Sequence, residues 1–331
     1  MTTVPRIFAS SAALALLIGC ESSRSGAESA LAPGVGGIQA MSFATSGWST
    51  PVNVGAPINS PASENNAALS PDELSLYFTS DRPGGFGGSD IWVSGRACVD
   101  CPWGTPANLG PLFNGPGAEA GPRLSIDGHL LFFQSDRPGG QGSGDIYVSR
   151  RANTNDDFAW EPAANLGTGV NTAGNENAAD YLQSAEDGAG NLYFNRGTTG
   201  GAAATVDFYS AAVTRDGETR GTAELVVELS DLTTQDQHAS VRKDGREVFI
   251  ASMRTGGLGG LDLWTSTRQS AHEPWSTPVN LGAPLNTVLT DQQPSLSGDG
   301  RTLLFSSNRP GGLGGNDLWI ATRTPNGKET Q

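Results

Sequence analysis

One segment of this chain occurs five times with small changes, and this repetition constrains the fold more than any other feature of the sequence. Four copies are close to one another, and a degraded fifth copy lies in phase at residues 192–209. The close copies occupy residues 76–92, 131–147, 248–264 and 303–319. Spacings of 55, 60, 57 and 55 residues separate the Asp that precedes each copy: Asp72, Asp127, Asp187, Asp244 and Asp299. A nearly constant period of this size predicts a repeat architecture.

Each repeat contains four short runs of strand-forming residues separated by turn residues, a pattern typical of all-β repeats. In the last repeat we predict strands at 293–297, 302–306 and 317–322, with a tight Gly298-Asp299-Gly300 turn and a Gly-rich loop between them. The fourth strand is predicted in the Trp-x-x-Pro-x-Asn-Leu-Gly runs at 103–110, 160–167 and 275–282. Four-stranded antiparallel sheets repeated around an axis form the blades of a propeller.

The two ends of the repeat region predict how the ring closes. Residues 48–55 have the fourth-strand pattern but no preceding strands, and the chain ends soon after the third strand at 318–322. Pairing these two runs completes a last blade and removes open sheet edges. We therefore predict an all-β, five-bladed β-propeller of four-stranded antiparallel blades at 48–324, closed by its N- and C-terminal strands. A sixth blade would have to lie in residues 213–230, which are too short for one.

The repeat resembles the WD40-like repeat of the TolB-type propellers. In the second copy the matching residues are Leu124-Ser-Ile-Asp-Gly128, Phe133-Gln-Ser-Asp-Arg137-Pro-Gly-Gly140 and Asp145-Ile-Tyr147. The third copy departs from the pattern, with residues 195–204 in place of the usual loop and 222–231 in place of the Trp-x-x-Pro strand. The resemblance covers nearly all of the repeat region and implies a periplasmic or cell-surface interaction scaffold. It implies no reaction, because a fold alone does not fix a function.

The first twenty residues have the layout of an export signal, with Arg6 before an apolar stretch at residues 7–18. The following Leu17-Ile18-Gly19-Cys20 resembles a bacterial lipobox, in which the Cys is lipidated and becomes the new N-terminus. We therefore expect a lipoprotein signal peptide at 1–20 and acyl chains on Cys20. An ordinary signal peptide is the alternative. By the same resemblance, Glu21 favours the outer membrane, on its periplasmic side or at the cell surface.

Composition restricts the partners of the mature chain. Residues 21–47, rich in Ser, Gly and Ala, are predicted to be a flexible tether, and 325–331 a C-terminal tail. The net charge is −14, with 34 acidic and 20 basic residues, which argues against nucleic acid and anionic lipid surfaces as partners. We expect membrane contact through the N-terminal lipid alone, and a monomer.

Two cysteines besides Cys20 lie close together, Cys98 and Cys101. A zinc site would need four ligands, and no second Cys pair or nearby His supplies them. In an exported protein this spacing favours a local disulfide, so we predict neither a metal nor another cofactor.

Acidic and basic residues recur at fixed positions on the loops expected to share one face. An acid stands eight residues before each anchoring Asp, at Glu64, Glu119, Asp236 and Asp291, with Glu176 in the third copy. An Arg stands ten residues after it, at Arg82, Arg137, Arg254 and Arg309, with Arg196 one residue early. The acids could form a ring that binds Ca²⁺, an amine or sugar hydroxyls at the mouth of the channel. Alternatively, each acid pairs with an Arg and fixes neighbouring loops, which explains the repetition more simply.

No residue set indicates catalysis. Among the three histidines, His129 and His272 are predicted in turns or loops, and His238, two residues after Asp236, belongs to the candidate binding face. Neither a Gly-x-Ser-x-Gly nor a His-Glu-x-x-His motif occurs. The Asp that begins each third strand is expected to accept backbone N–H groups of the Gly-rich loop: Asp90, Asp145, Asp207, Asp262 and Asp317.

Two functions from different classes follow. The favoured one is a non-enzymatic, lipid-anchored scaffold that binds an envelope protein, a polysaccharide or peptidoglycan through its loop-rich face. The alternative is a protein that binds or hydrolyses carbohydrate with one or two channel-mouth carboxylates. A hydrolase would show one desolvated, unpaired carboxylate among them, and five equivalent acid–Arg pairs would argue against it. A structural surface protein without a defined ligand is the third possibility.

Overall fold

The computed structural model describes residues 47–184, 189–197 and 205–324. The expected signal peptide, Cys20, the tether up to residue 46, Asp187 and the tail at 325–331 lie outside these residues. The described part of the chain contains twenty β-strands and no α-helix. It accordingly offers no helix of the length and apolarity that crossing a membrane requires.

The strands form five antiparallel sheets of four strands each, which we call blades 1 to 5. In chain order they are β1 (Val52–Asn53), β2 (Glu64–Leu69), β3 (Ser75–Ser80), β4 (Asp90–Gly95), β5 (Ala107–Asn108), β6 (Glu119–Leu124), β7 (Leu130–Ser135), β8 (Asp145–Arg150), β9 (Ala164–Asn165), β10 (Asn175–Gln183), β11 (Gly190–Gly197), β12 (Val206–Val213), β13 (Thr219–Leu225), β14 (Asp236–Val241), β15 (Glu247–Ser252), β16 (Asp262–Thr267), β17 (Val279–Asn280), β18 (Asp291–Leu296), β19 (Thr302–Ser307) and β20 (Asp317–Thr322). Blades 1 to 4 each use four consecutive strands from β2 onward.

Blade 5 closes the ring with both ends of the chain. Its strand order is β1-β20-β19-β18, with Val52 opposite Ile320 and Asn53 opposite Trp319. The first strands of neighbouring blades lie side by side around the axis, and β18 of blade 5 lies beside β2 of blade 1. The prediction of a five-bladed β-propeller, closed by its terminal strands, is confirmed.

Strand direction divides the loops between two faces. Glu64 at the start of β2 lies opposite Ser80 at the end of β3, and Ser80 lies opposite Asp90 at the start of β4. Loops before the first strands and loops between second and third strands therefore share one face, as predicted, and we call it the loop-rich face. The opposite face carries the turns between first and second strands and the loops after the third strands.

The apolar core lies between blades. Tyr77 and Ile91 of blade 1, for example, pack with Phe133 of blade 2 and with Trp160, which precedes the fourth strand of that blade. Tyr77, Ile91 and Phe133 are completely buried. Each such side chain stabilises the fold by about 1.5–3 kcal/mol relative to an exposed one.

The fourth strands are shorter than predicted. In blade 1 the strand is β5, two residues long, although the sequence pattern runs from 103 to 110. Asn114 takes over part of the pairing, because its Oδ1 accepts the N–H of Ile91 at 2.9 Å and its Nδ2 donates to the Ile91 carbonyl at 3.0 Å. Asn59, Asn171 and Asn286 make the same pair of bonds in other blades. In blade 3 the fourth strand, β13, begins three residues before the predicted 222.

The Gly-rich loops form contacts between blades. Gly88 donates its N–H to the Gly117 carbonyl of the next blade at 2.8 Å. A Cβ at Gly87 would lie 2.0 Å from that carbonyl oxygen, so this close approach requires glycine. Asp90 accepts the N–H groups of Phe86 at 2.5 Å and Gly87 at 3.2 Å, which confirms its predicted role in fixing the loop. Asp145, Asp262 and Asp317 act in the same way, whereas Asp207 closes a loop that lies largely outside the described residues.

Candidate functional site

Each of the five repeated acids forms an ion pair with the repeated Arg of its own blade. The N–O distances are 2.9 Å for Glu64–Arg82, 3.5 Å for Glu119–Arg137, 2.8 Å for Glu176–Arg196, 2.5 Å for Asp236–Arg254 and 2.5 Å for Asp291–Arg309. All five acid side chains are fully buried. This is the geometry of the second interpretation, in which the pairs fix neighbouring loops.

Blade 5 shows how completely one of these carboxylates is engaged. Asp291 accepts the N–H and hydroxyl of Thr287 at 2.6 and 2.8 Å and the Ser307 hydroxyl at 2.5 Å. Its partner Arg309 also donates to the Leu285 carbonyl and stacks over the Phe305 ring at 4.9 Å. The pair therefore ties the loop before the first strand to the end of the second. Contact of these acids and arginines with a ligand stays a prediction.

A second repeated feature, which the sequence analysis did not identify, lies two residues after each acid. The register of every first strand shifts there, and the residue adopts a left-handed conformation. These residues are Asn66, Gly121, Ala178, His238 and Gln293, with φ between 51° and 66°. Such bulges bend a strand and redirect its side chains. Because their residue types differ, no single-residue pattern marks the position.

The side chain of Arg123 crosses the axis of the propeller. It donates to the Ala67 carbonyl at 2.9 Å, the Pro294 carbonyl at 2.6 Å and the Ser295 hydroxyl, and its Nε lies 3.6 Å from the Asp180 carboxylate. Burial raises the pKa of Asp180, and the Arg123 charge opposes this shift. Arg123 thus links blades 1, 2, 3 and 5.

His238 lies in β14, the first strand of blade 4, and its membership of a binding face stays a prediction. Its backbone N–H donates to Asn195 Oδ1 at 2.7 Å, and its enclosed Nδ1 has no hydrogen-bond partner within the described part of the chain. Burial, with a smaller effect of the Arg123 charge, lowers the pKa of the imidazole to about 3. His238 is therefore neutral at physiological pH. His129 and His272 are exposed.

The two cysteines lie on the face opposite the loop-rich face. Cys98 and Cys101 are joined by a disulfide with an S–S distance of 2.16 Å, in the loop after β4. Across residues 47–184, 189–197 and 205–324, no group of three His, Cys, Asp or Glu side chains is arranged to hold a metal ion.

A polar pocket of about 480 Å³ opens on the loop-rich face between blades 5, 1 and 2. Five carboxamide side chains characterise it, and we call it the amide pocket: Asn65, Asn66, Gln292, Gln293 and Asn316. The remaining lining residues are Ser63, Thr79, Asp81, Gly88, Ser89 and Ala120. None of them belongs to the repeated acid–Arg pairs.

Internal hydrogen bonds hold the amides in place. Asn316 Nδ2 donates to Asn65 Oδ1 at 3.0 Å, and Gln293 Oε1 accepts the backbone N–H of Asn66 at 3.2 Å. The sequence carries a readable signal for this pocket, because amides occupy the two positions after the acid in blades 1 and 5. Blade 2 has Ala120 and Gly121 there.

Comparisons with known proteins identify the fold but no family. Neither a protein-family model nor a curated protein sequence matches this chain. Among solved structures, the endo-arabinase from Bacteroides thetaiotaomicron VPI-5482 is 16% identical with a TM-score of 0.56, covering 85% of this chain and 99% of that one. The GH43_1 enzyme from Xanthomonas citri is 15% identical with a TM-score of 0.54, covering 85% and 96%.

TolB from Acinetobacter baumannii is also among the structural neighbours. It is 14% identical with a TM-score of 0.49, and the match covers 80% of this chain and 55% of TolB. This chain therefore spans about half the length of that protein. At these identities the two enzyme structures support the fold alone, and the TolB match adds no argument.

Proposed function

We propose that this protein is a lipid-anchored, non-enzymatic scaffold of the bacterial outer membrane that holds an envelope protein or polymer on its loop-rich face. The anchor would be Cys20, on the lipobox resemblance given above. The five repeated acid–Arg pairs carry the proposal, because they make the loops of that face rigid without leaving a repeated acid free for chemistry.

The same observation weakens the hydrolytic alternative. Glycoside hydrolysis uses two carboxyl groups in different environments, one of them poised as an acid. The five channel-mouth acids instead occupy one repeated environment, each buried against an Arg. Asp180 does have a raised pKa through burial, but it accepts the Val241 N–H at 2.7 Å and faces Arg123. Its environment is that of a structural ion pair.

Exposed apolar side chains at the tips of the Gly-rich loops support a binding role. Phe86, Leu258 and Leu313 stand at the same position of three loops and are 49%, 49% and 53% exposed. Blade 2 has Gln141 at that position. Apolar groups presented on a rigid polar surface are suited to be anchors for a partner.

The direction of the chain supports presentation of this face away from the membrane. Ser49 pairs with Thr322, its N–H donating to the Thr322 carbonyl at 2.8 Å, so the described chain begins at the face opposite the loops. The tether predicted for residues 21–47 would then join Cys20 to the domain at this opposite face. A lipid on Cys20 would then leave the loop-rich face accessible.

Crosslinked capture from the native envelope tests the proposal. The full chain is compared with a Phe86→Ser/Leu258→Ser/Leu313→Ser variant, and captured material is identified by mass spectrometry and sugar analysis. Two residues exposed on the opposite face, Val99 and Phe158, supply a matched Val99→Ser/Phe158→Ser control. We expect one partner to be captured by wild type and control and lost with the triple variant. Equal capture by all three, or release of reducing sugars from envelope polysaccharide by the wild type, would contradict the proposal.

A further inference from the structure

We propose that the amide pocket binds a neutral, hydroxyl-rich polysaccharide. This inference rests on the proposed binding role of the loop-rich face and names the ligand class for a particular part of it.

The pocket depends on the two positions that follow the buried acid, where the blades do not all carry the same residues. Directly after the buried acid, blade 1 has Asn65 and Asn66 and blade 5 has Gln292 and Gln293. Blade 2 has two small residues there, Ala120 and Gly121, which leave space beside these amides. Asn177 in blade 3 and Gln237 in blade 4 also place an amide directly after the acid. Structural repetition therefore explains Asn65 and Gln292, but it does not explain Asn66, Gln293 or the small Ala120.

The lining has the chemistry of a hydroxyl-binding surface. Each carboxamide offers two N–H donors and an acceptor oxygen with two lone pairs, and it carries no charge. The bonds from Asn316 to Asn65 and from the Asn66 N–H to Gln293 use only part of this capacity. A sugar hydroxyl both donates and accepts, so neighbouring amides can satisfy it in both roles.

Charge argues against an anionic ligand. Asp81 is the one charged residue among the described lining residues, and its Oδ1 accepts the Ser63 N–H at 2.7 Å. The lining contains no Lys or Arg to pair with a phosphate or uronate. A neutral polymer avoids repulsion from Asp81 and needs no counter-charge.

The lining also argues against a protein side chain as occupant. Anchors of protein partners fill apolar or aromatic pockets, and the one apolar side chain in this lining is that of Ala120. A volume of about 480 Å³ lies within the ~300–1,000 Å³ typical of small-ligand sites. Phe86, 49% exposed and two residues before Gly88 of the lining, supplies a ring on the same loop for a sugar to pack against.

The left-handed positions allow variants that remove amides without straining the backbone. Asn66 and Gln293 have φ of 51° and 58°, and glycine already occupies the equivalent position at Gly121. The variant Asn66→Gly/Gln293→Gly therefore keeps the backbone unstrained and loses the Gln293–Asn66 hydrogen bond of 3.2 Å, so it should still fold. Ala178→Gly, at the same position of blade 3 (φ 54°), is the matched control. Ala120→Gln fills the pocket with a side chain that blade 5 carries at the equivalent position, Gln292.

Native affinity electrophoresis of the full chain provides the test. Gels contain dextran, mannan, arabinan or xylan as neutral polymers, and alginate or polygalacturonate as anionic ones. We expect at least one neutral polymer to retard wild type and Ala178→Gly equally, with affinity reduced at least tenfold in the double variant and in Ala120→Gln. Retardation by no neutral polymer, unchanged affinity in both pocket variants, or equal retardation by anionic polymers would overturn the inference.

The two proposals fail separately. If envelope capture depends on the loop tips and recovers a protein, while no neutral polymer retards the chain, the scaffold stands and the polysaccharide inference falls. If envelope capture does not depend on the loop-rich face and no polymer is bound, the proposed function falls as well.

Discussion

The Asp291–Arg309 pair shows what a single repeated residue contributes. Burying two charges is costly, and pairing offsets that cost only when the remaining donors and acceptors are also satisfied. Here Asp291 has four donors, and Arg309 bonds a carbonyl and covers an aromatic ring. When either partner is removed, the other charge stays buried without a counter-charge, which destabilises the fold.

Arg309→Ala tests this role. We expect a loss of about 3–5 kcal/mol in the free energy of unfolding, measured by urea denaturation, because Asp291 would stay buried without its counter-charge. Arg301→Ala is the control, since Arg301 is 53% exposed and lies 3.7 Å from Asp299, itself 47% exposed. That surface pair should contribute less than about 1 kcal/mol. Similar losses in the two variants would contradict the structural role of the pair.

His238 should make stability depend on pH. Its pKa is 6.5 in the unfolded chain and about 3 in the folded protein, so between these values the unfolded chain binds the extra proton. Protonation of His238 therefore does not affect the free energy of unfolding above pH 6.5. As pH falls from 6.5 toward 3, it lowers the free energy of unfolding by at most about 1.4 kcal/mol per pH unit. His238→Asn suits the left-handed backbone and should show a shallower decline between pH 6.5 and 4. Parallel curves for variant and wild type would mean that His238 is protonated without cost.

Among the strands, those with a clear hydrophobic periodicity were predicted correctly. The fourth strands were not, because side-chain amides make hydrogen bonds there that backbone groups would make in a longer strand. The third strand predicted at 317–322 has those bounds in the structure. The fourth strands were overestimated, because Asn114 and its equivalents continue the pairing with amide groups, and hydrophobic alternation does not reveal this. The second Asn, six residues after the first, is a signal that could have been read.

The amide pocket could not be predicted from any one repeat. It combines Asn65 and Asn66 with Gln292 and Gln293, more than two hundred residues away, and it depends on closure between blades 5 and 1. The acid–Arg pairs, by contrast, lie within one blade at a fixed spacing, and sequence analysis identified all five as possible pairs.

The Gly-rich loops give a test of inter-blade contact. Gly87→Ala should lower the free energy of unfolding by about 1–3 kcal/mol, because its Cβ would lie 2.0 Å from the Gly117 carbonyl oxygen. The neighbouring Gly88→Ala should change it by less than about 0.5 kcal/mol, since the nearest atom to its Cβ lies at 3.7 Å. Thermal or urea denaturation measures both. A larger effect at Gly88 than at Gly87 would show that the loops pack differently.

At the scale of the whole molecule, one Arg joins the seam of the ring to its neighbour. Arg323 follows β20, stacks over Trp48 at 4.5 Å and donates to both carboxylate oxygens of Glu247 in blade 4 at 2.9 and 2.7 Å. Trp48 also packs edge-on against Phe249 of blade 4, with ring centroids 5.7 Å apart. The N-terminal strand is thus held by the blade next to the seam as well as by β20.

Arg323→Ala should therefore destabilise the ring more than loss of the equivalent Arg elsewhere. We expect about 3 kcal/mol, because two charge-assisted hydrogen bonds from the 3% exposed Arg323 side chain are lost, while Arg242 still pairs with Glu247 at 3.0 Å. Arg96→Ala in blade 1 should cost about 1–2 kcal/mol, since Arg96 is 12% exposed and lies 4.0 Å from Glu73. Urea denaturation of both variants checks this, and equal costs would argue that the seam is no special point of the fold.

We propose that repeated residues build the ring, whereas residues that differ between blades recognise the partner. Quantitative capture of envelope material by wild type, Ala178→Gly and Asn66→Gly/Gln293→Gly tests it most directly. We expect equal capture by the first two proteins and at least a tenfold loss with the folded double variant. Undiminished capture by a folded double variant would contradict it and move recognition away from the amide pocket.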